Sequence, residues 1–209
     1  MSSRTLMLLV AAAFAWATGT AHAQAPTLER VLTAFADVPG LTANFAEEKR
    51  IALMAVPVRS EGTITYVPGR LLRTVTAPTP SVALIEADRL TMRAGEDRQV
   101  VDFASNPLVA AFVGSIRHVL AGDREALAAD YDLAFSAEGS SWTLSLTPKG
   151  ARLRRFLRVM ELSGTAGENV RLERIRMVEQ SGDETLTTFS NVRIQRFTPA
   201  QVRERFRVQ

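Results

Sequence analysis

From Leu41 onward the chain is cut into short runs of alternating apolar and polar residues, each ended by a turn rich in glycine, proline or small polar residues. A period of two sends successive side chains to opposite faces of an extended backbone, so each run can bury only one face and must lie beside others in a sheet. The first group is Leu41–Ile51, Gly62–Val67, Arg70–Thr76, Val82–Glu86, Arg89–Arg93 and Gln99–Phe103. The second is Tyr131–Ala137, Ser141–Thr147, Arg154–Ser163, Val170–Gln180 and Glu184–Arg196. Pro68-Gly69, Pro78-Thr79-Pro80, Gly95-Glu96-Asp97, Gly139, Gly164–Gly167 and Ser181-Gly182-Asp183 separate them. Turns this tight join antiparallel neighbours. The pattern predicts a mainly β domain with helices (α+β), in which about eleven strands form one antiparallel sheet.

Three further segments follow a period near 3.6. Leu28, Val31, Leu32 and Phe35 make one helical stripe, with Thr27 as N-cap and Pro39-Gly40 as the stop. Between the two groups of strands, Asn106-Pro107 reads as a cap followed by proline at the first helical position, and Gly122 closes the helix. Its stretch Val109–Val113 is apolar nearly all round, so this helix must be buried on most sides or cover something apolar. A short helix from Asp123 to Ala129 continues the insertion, and Pro199–Phe206 is weakly helical. A large sheet has two faces and few helices here to cover them. Curled into an open barrel and closed by the helical segments, it would hold an apolar space. With the helices packed directly on it, no space would remain. The pattern leaves both arrangements open.

The N-terminus reads as an export signal. Arg4 provides the positive start, Leu6 to Trp16 the short apolar core, and Ala21-His22-Ala23 the small-x-small cleavage pattern. Residues 1–23 are therefore expected to be removed, leaving 24–209 as one periplasmic domain of about 186 residues. The apolar core is too short to span a bilayer. With no cysteine anywhere, disulfides, thiolate chemistry, cysteine-ligated metals and a lipid anchor are excluded. His118 is the single histidine after the signal, too little for a histidine metal site or a Ser-His-Asp arrangement. The net charge of +3 includes Arg4 and is mild, which gives no reason to expect nucleic acid. No cofactor, no metal and no enzyme activity are expected; an acyl hydrolase is disfavoured further by the absence of G-x-S-x-G.

Four motifs in order carry a family resemblance. The run Gly62–Pro78, centred on Pro68-Gly69-Arg70, is similar to the central motif of the outer-membrane lipoprotein carrier family (LolA-like). Leu41–Arg50 resembles that family's first strand, Val82–Leu90 its next hydrophobic strand and Trp142–Lys149 its later L-x-P-K strand end. The resemblance implies an open half-barrel with a helical lid, LolA-like. It also implies a non-catalytic carrier that binds acyl chains of a lipoprotein, glycolipid or other lipidated product in an apolar cavity. Its partners would be an inner-membrane exporter and an outer-membrane acceptor, and the chain would act as a monomer. A lipid-sensing regulator of the same fold is the alternative.

Three departures stand out: Val67 where the family has an arginine, Arg73 where an aromatic is usual, and Glu86-Ala87 in place of aspartate-glycine. Val67 would then lack the donor with which the family's arginine holds the lid to the barrel. Period-two alternation puts Leu71, Arg73 and Val75 on one face, joined by Ile64 and Tyr66. The resemblance makes that face the concave one. Leu108, Phe112 and Ile116 share a helical stripe and would form the underside of the lid. Arg73 in an apolar set must reach solvent, a carboxylate or an anionic head group, the last placing it at the cavity mouth. Lys149, Arg152, Arg154, Arg155 and Arg158 form the densest basic cluster, a candidate docking surface for an acidic partner or an anionic membrane. Glu47 and Glu48 read as surface carboxylates.

Overall fold

A computed structural model describes residues 25–207, so the expected signal lies outside the described residues. The elements are α1 (Leu28–Ala36), β1 (Leu41–Arg50), β2 (Val58–Val67), β3 (Arg70–Ala77), β4 (Ser81–Ile85), β5 (Arg89–Ala94) and β6 (Asp97–Asp102). Then come α2 (Pro107–Leu120), α3 (Arg124–Asp130), β7 (Tyr131–Glu138), β8 (Ser141–Pro148), α4 (Ala151–Arg154), β9 (Leu157–Ala166), β10 (Val170–Glu179), β11 (Glu184–Ile194) and α5 (Pro199–Arg205). All eleven strands lie in one sheet, ordered β6-β5-β4-β3-β2-β1-β11-β10-β9-β8-β7. Every neighbouring pair is antiparallel, and β6 and β7 remain as free edges. The expected open antiparallel half-barrel is the observed one.

Both helical arrangements weighed above occur together. Over β7–β10 the helices pack directly on the sheet: Val31, Leu32 and Phe35 of α1, Val119 of α2 and Leu127 of α3 bury against Trp142, Leu144, Met160 and Leu162. Phe35 meets Trp142 edge to face, with centroids 5.8 Å apart. Each large aliphatic or aromatic side chain buried there contributes about 1.5–3 kcal/mol. Over β2–β4 the same helical layer stands off from the sheet and leaves the space described below. The opposite face of β2–β4 is covered by α5, whose end residue Phe206 sits on Val67, Leu72 and Leu84. A reciprocal capping box between Thr198 and Gln201 starts α5, so the weakly helical tail is a defined element.

Local chemistry explains most boundaries. Thr27 Oγ1 accepts the Arg30 N–H at 3.2 Å and begins α1. Gly122 ends the lid helix at φ +66°, and a Cβ there would also collide with the Leu32 carbonyl of α1. Asn106 holds the N-cap position of α2 as expected, its carbonyl accepting the Ala110 N–H at 3.0 Å, but its side chain makes no capping bond. Its amide donates back to the Asp102 carbonyl at 3.0 Å and braces the preceding turn, leaving Pro107 to start the helix. The strand expected over Arg154–Ser163 begins only at Leu157 and runs on through Gly164, expected as a turn residue, to Ala166. Pro148 and Gly150 release the chain from β8, and the single turn α4 forms because it drops Leu153 into the core. Arg152 and Arg154 therefore stand on a helical turn and Arg155 on the connection after it.

Candidate functional site

Register fixes which side chains share a face. Tyr66 pairs with Leu71, Ile64 with Arg73 and Gly62 with Val75, so the sheet candidates all point to the same side. Leu71 pairs in turn with Ile85 of β4. Between this face and the helices lies a cavity of about 470 Å³. The sheet supplies Tyr66, Leu71 and Ile85, α2 supplies Val113, Ile116 and Leu120, and Ala36 at the end of α1 closes one side. Arg70, Arg117, His118 and Asp123 stand at its polar rim. The volume falls within the range of small-molecule pockets.

The predicted residues divide. Tyr66, Leu71 and Ile116 come together in the cavity wall. Ile64, Arg73 and Val75 lie farther along the same face, outside that wall. Leu108 and Phe112 turn to the β7–β10 core and pack there half-buried. One helical stripe thus serves two neighbours, because α2 crosses from one half of the sheet to the other. Val113 and Leu120, which the sequence reading passed over, are at i−3 and i+4 from Ile116; that spacing was the available signal. Burial raises the pKa of the Tyr66 hydroxyl above its ordinary value. Tyr131, beneath the lid, is raised by burial in the same way, and its hydroxyl donates to the Ala111 carbonyl at 3.4 Å.

Arg73 does not wait for a head group. Its Nη2 donates to Glu47 Oε1 at 2.9 Å, and its guanidinium stacks 4.4 Å from the Phe45 ring centroid. Thr187 donates to the second Glu47 oxygen at 3.0 Å. Glu47 is thus not a surface carboxylate but the internal counter-charge of the concave face. Phe45 and Glu47 share the period-two face of β1, a signal visible in sequence once Arg73 is placed opposite.

Val67 is also reassigned. Alternation turns it away from Tyr66 and the lid, into the cluster under Phe206. An arginine there would face α5, so the missing-latch expectation does not hold in this geometry. The lid carries its own donor instead: Arg117 Nη1 donates to the Ala87 carbonyl, in the β4–β5 turn, at 2.9 Å. His118 Nδ1 lies 3.8 Å from Asp123 at the end of α2.

Within the basic cluster, Lys149 is engaged by its own chain, donating to the Ala128 carbonyl at 2.6 Å. Arg152, Arg154, Arg155 and Arg158 are exposed, and among the described residues no carboxylate pairs with them. Among the described residues no group of three or more acidic or histidine side chains is placed to hold a metal ion, and no helix is long and apolar enough to cross a membrane.

An open half-barrel with an apolar space under a helical lid matches what the motifs implied, and the sequence comparison agrees. The profile of LolA-like outer membrane lipoprotein carrier proteins matches residues 20–194. The chain belongs to this LolA-like family. The helix α5 lies beyond the matched residues. A DUF1329 family protein from Desulfovibrio piger shares the fold at 10% identity, with TM-score 0.50 over 87% of this chain and 95% of that one. The LolA superfamily protein NE2245 from Nitrosomonas europaea is similar at 13% identity and TM-score 0.45, covering 85% of this chain and 97% of that one. A Vibrio parahaemolyticus domain described as a putative outer membrane lipoprotein-sorting protein is similar at 13% identity and TM-score 0.49, covering 86% and 98%. The curated proteins give no significant sequence match.

Proposed function

We propose that this LolA-like protein is a periplasmic, non-catalytic lipid carrier, working as the domain 24–209 after loss of residues 1–23. It takes up acyl chains of a lipoprotein, glycolipid or other lipidated product from an inner-membrane exporter and passes them towards an outer-membrane acceptor. The cavity of about 470 Å³ between the β2–β4 face and α2 is the observation that carries the reading. Its walls are mostly apolar while its rim is polar, which suits an aliphatic chain inside and a head group at the mouth. Each methylene moved from water into such a wall contributes about 0.8 kcal/mol, so binding grows with chain length. Release then needs only that an acceptor lift the lid and replace those contacts.

The test is fluorescence titration with an environment-sensitive fatty acid, backed by native mass spectrometry of protein extracted gently from its host. The wild type is expected to bind the probe and to co-purify with an acylated molecule. Leu71→Glu is expected to abolish binding while keeping its circular dichroism spectrum, because a carboxylate in the wall opposes burial of the chain. Phe112→Glu is expected to lower stability instead, since Phe112 packs into the β7–β10 core. Probe binding unaffected by Leu71→Glu, or turnover of acyl esters by the purified protein, would defeat the carrier reading.

A further inference from the structure

Strand directions bring three connections to one end of the sheet: residues 51–57 between β1 and β2, 180–183 between β10 and β11, and 149–156 between β8 and β9. The first carries Leu53-Met54-Ala55-Val56-Pro57-Val58, a hairpin tip with no charged residue. Leu53 is 97% exposed and Val56 70% exposed. Nothing within the described chain covers them, although loops of this kind are ordinarily polar.

This tip is held rather than trailing. The Ala52 N–H donates to Asp183 Oδ1 at 3.0 Å, tying it to the β10–β11 turn. That turn is tied on its other side, where the Gln180 N–H donates to the Phe156 carbonyl at 2.8 Å. Phe156 is itself 54% exposed and stands among Arg152, Arg154, Arg155 and Arg158, none of which pairs with a carboxylate among the described residues. Beside these three connections Glu48 is engaged by Arg50 and Arg59, Glu179 by Lys49, and Glu184 by Arg176. One end of the molecule therefore presents two apolar projections, bridged by a turn and accompanied by uncompensated positive charge.

We propose that this end is a membrane-docking edge for a bilayer containing anionic phospholipid. The β1–β2 tip and Phe156 enter the boundary between head groups and acyl chains, and the arginines of 152–158 lie against lipid phosphates. Aliphatic side chains on a projecting tip gain from any apolar phase without needing a shaped groove, and guanidinium groups beside them suit an anionic head-group layer. The cavity rim at Pro68, Gly69 and Arg70 belongs to the opposite end of the sheet, so the cavity is not what meets the lipid. This edge is independent of the carrier reading: it predicts lipid-surface binding whether or not the cavity takes an acyl chain.

Because the chain has no cysteine, Leu53→Cys offers a unique labelling site. A bimane label there should shift to the blue on adding vesicles of phosphatidylglycerol and phosphatidylethanolamine. The same label at Ser140→Cys, in the β7–β8 turn at the far end, should not move. In co-sedimentation, unmutated protein should bind these vesicles, ignore phosphatidylcholine vesicles and be released by 0.5 M salt on the order of the screening expected for arginine–lipid contacts. Leu53→Asp with Val56→Asp, and separately Arg152→Glu with Arg155→Glu, should each weaken partitioning at least roughly tenfold. The fatty-acid affinity of both variants should stay at the wild-type value, and their melting curves serve as the folding control. Failure of the unmutated protein to bind anionic vesicles, an equal blue shift at both labels, or binding that requires an added membrane protein would overturn the proposal.

Discussion

One charge-assisted hydrogen bond ties the lid to the cavity rim, and Arg117→Ala should loosen that side of it measurably. In the wild type Arg117 Nη1 donates to the Ala87 carbonyl at 2.9 Å, joining α2 to the β4–β5 turn across the cavity rim. A hydrogen bond to a charged group contributes about 1.5–3 kcal/mol where water is excluded. This one stands at the surface, where water can replace the lost partner, so about 0.5–1.5 kcal/mol is the appropriate figure. At about 1.4 kcal/mol per factor of ten, the open population should rise between about twofold and tenfold. Hydrogen exchange read at the amides of 107–120 measures that population, since opening exposes α2 while the β8–β9 ladder stays paired. Exchange in α2 should accelerate by that factor with β8 and β9 unchanged. Val67→Arg is the matched control: it should weaken the packing of α5 and leave lid exchange alone, because Val67 lies beneath Phe206. Identical protection of 107–120 in Arg117→Ala and wild type would refute the latch, and faster lid exchange in Val67→Arg would refute the facial assignment.

Glu47→Gln should destabilise the fold by about 1–2 kcal/mol in urea titration, less than a fully buried pair because both side chains keep some solvent access. Adding Arg73→Met should recover most of that loss, and a double variant as unstable as the single one would show that the pair is not what Glu47 supports. Gly62→Ala should cost about 1–3 kcal/mol, since its Cβ would overlap the Thr74 carbonyl of the neighbouring strand. Gly150→Ala, with open space around it, should be close to neutral, and equal melting temperatures for the two would contradict the crowding argument. For acid stability, Arg176 hydrogen-bonds Glu184 and holds its carboxyl below the ordinary 4.5. That contribution is complete above the ordinary value and fades as pH falls through the lowered one. Arg176→Met should therefore melt slightly lower than wild type at neutral pH, with the gap closing in strong acid. A gap that widened there would reverse the sign.

The strands were legible because each buries one face and so writes its period into the sequence. Where neither face is buried the period fades, and Val58–Glu61 of β2 was missed for that reason: the strand is exposed there. The turn α4 was hidden because a single helical turn has no period, only Leu153 in the core to justify it. Alternation put Arg73 on the face with Leu71 and Val75. It could not name Glu47, which lies on β1, two strands away across β2, and is brought near only by the register of three strands. The lid illustrates a third limit: Leu108, Phe112 and Ile116 do share a stripe, but the angle at which α2 crosses the sheet decides which of them meets the cavity. Crossing angles come from packing between elements and leave no periodic trace.

The two free margins of the sheet, β6 and β7, are consecutive in sequence yet stand at opposite ends of the strand order, and the chain between them is the lid. A closed barrel can widen only by shearing its hydrogen-bonded ladders. Here the curl can relax with every ladder intact, because coiling and twist are soft compared with pairing. The stretch from Phe103 to Asp130 spans the opening between those margins, anchored on the β7–β10 side by Val119 and Leu127 in the core. On the carrier proposal, such a collar fits guests of different thickness by parting its two margins, and a residue inserted in the spanning stretch alters that parting as directly as a residue changed in the wall.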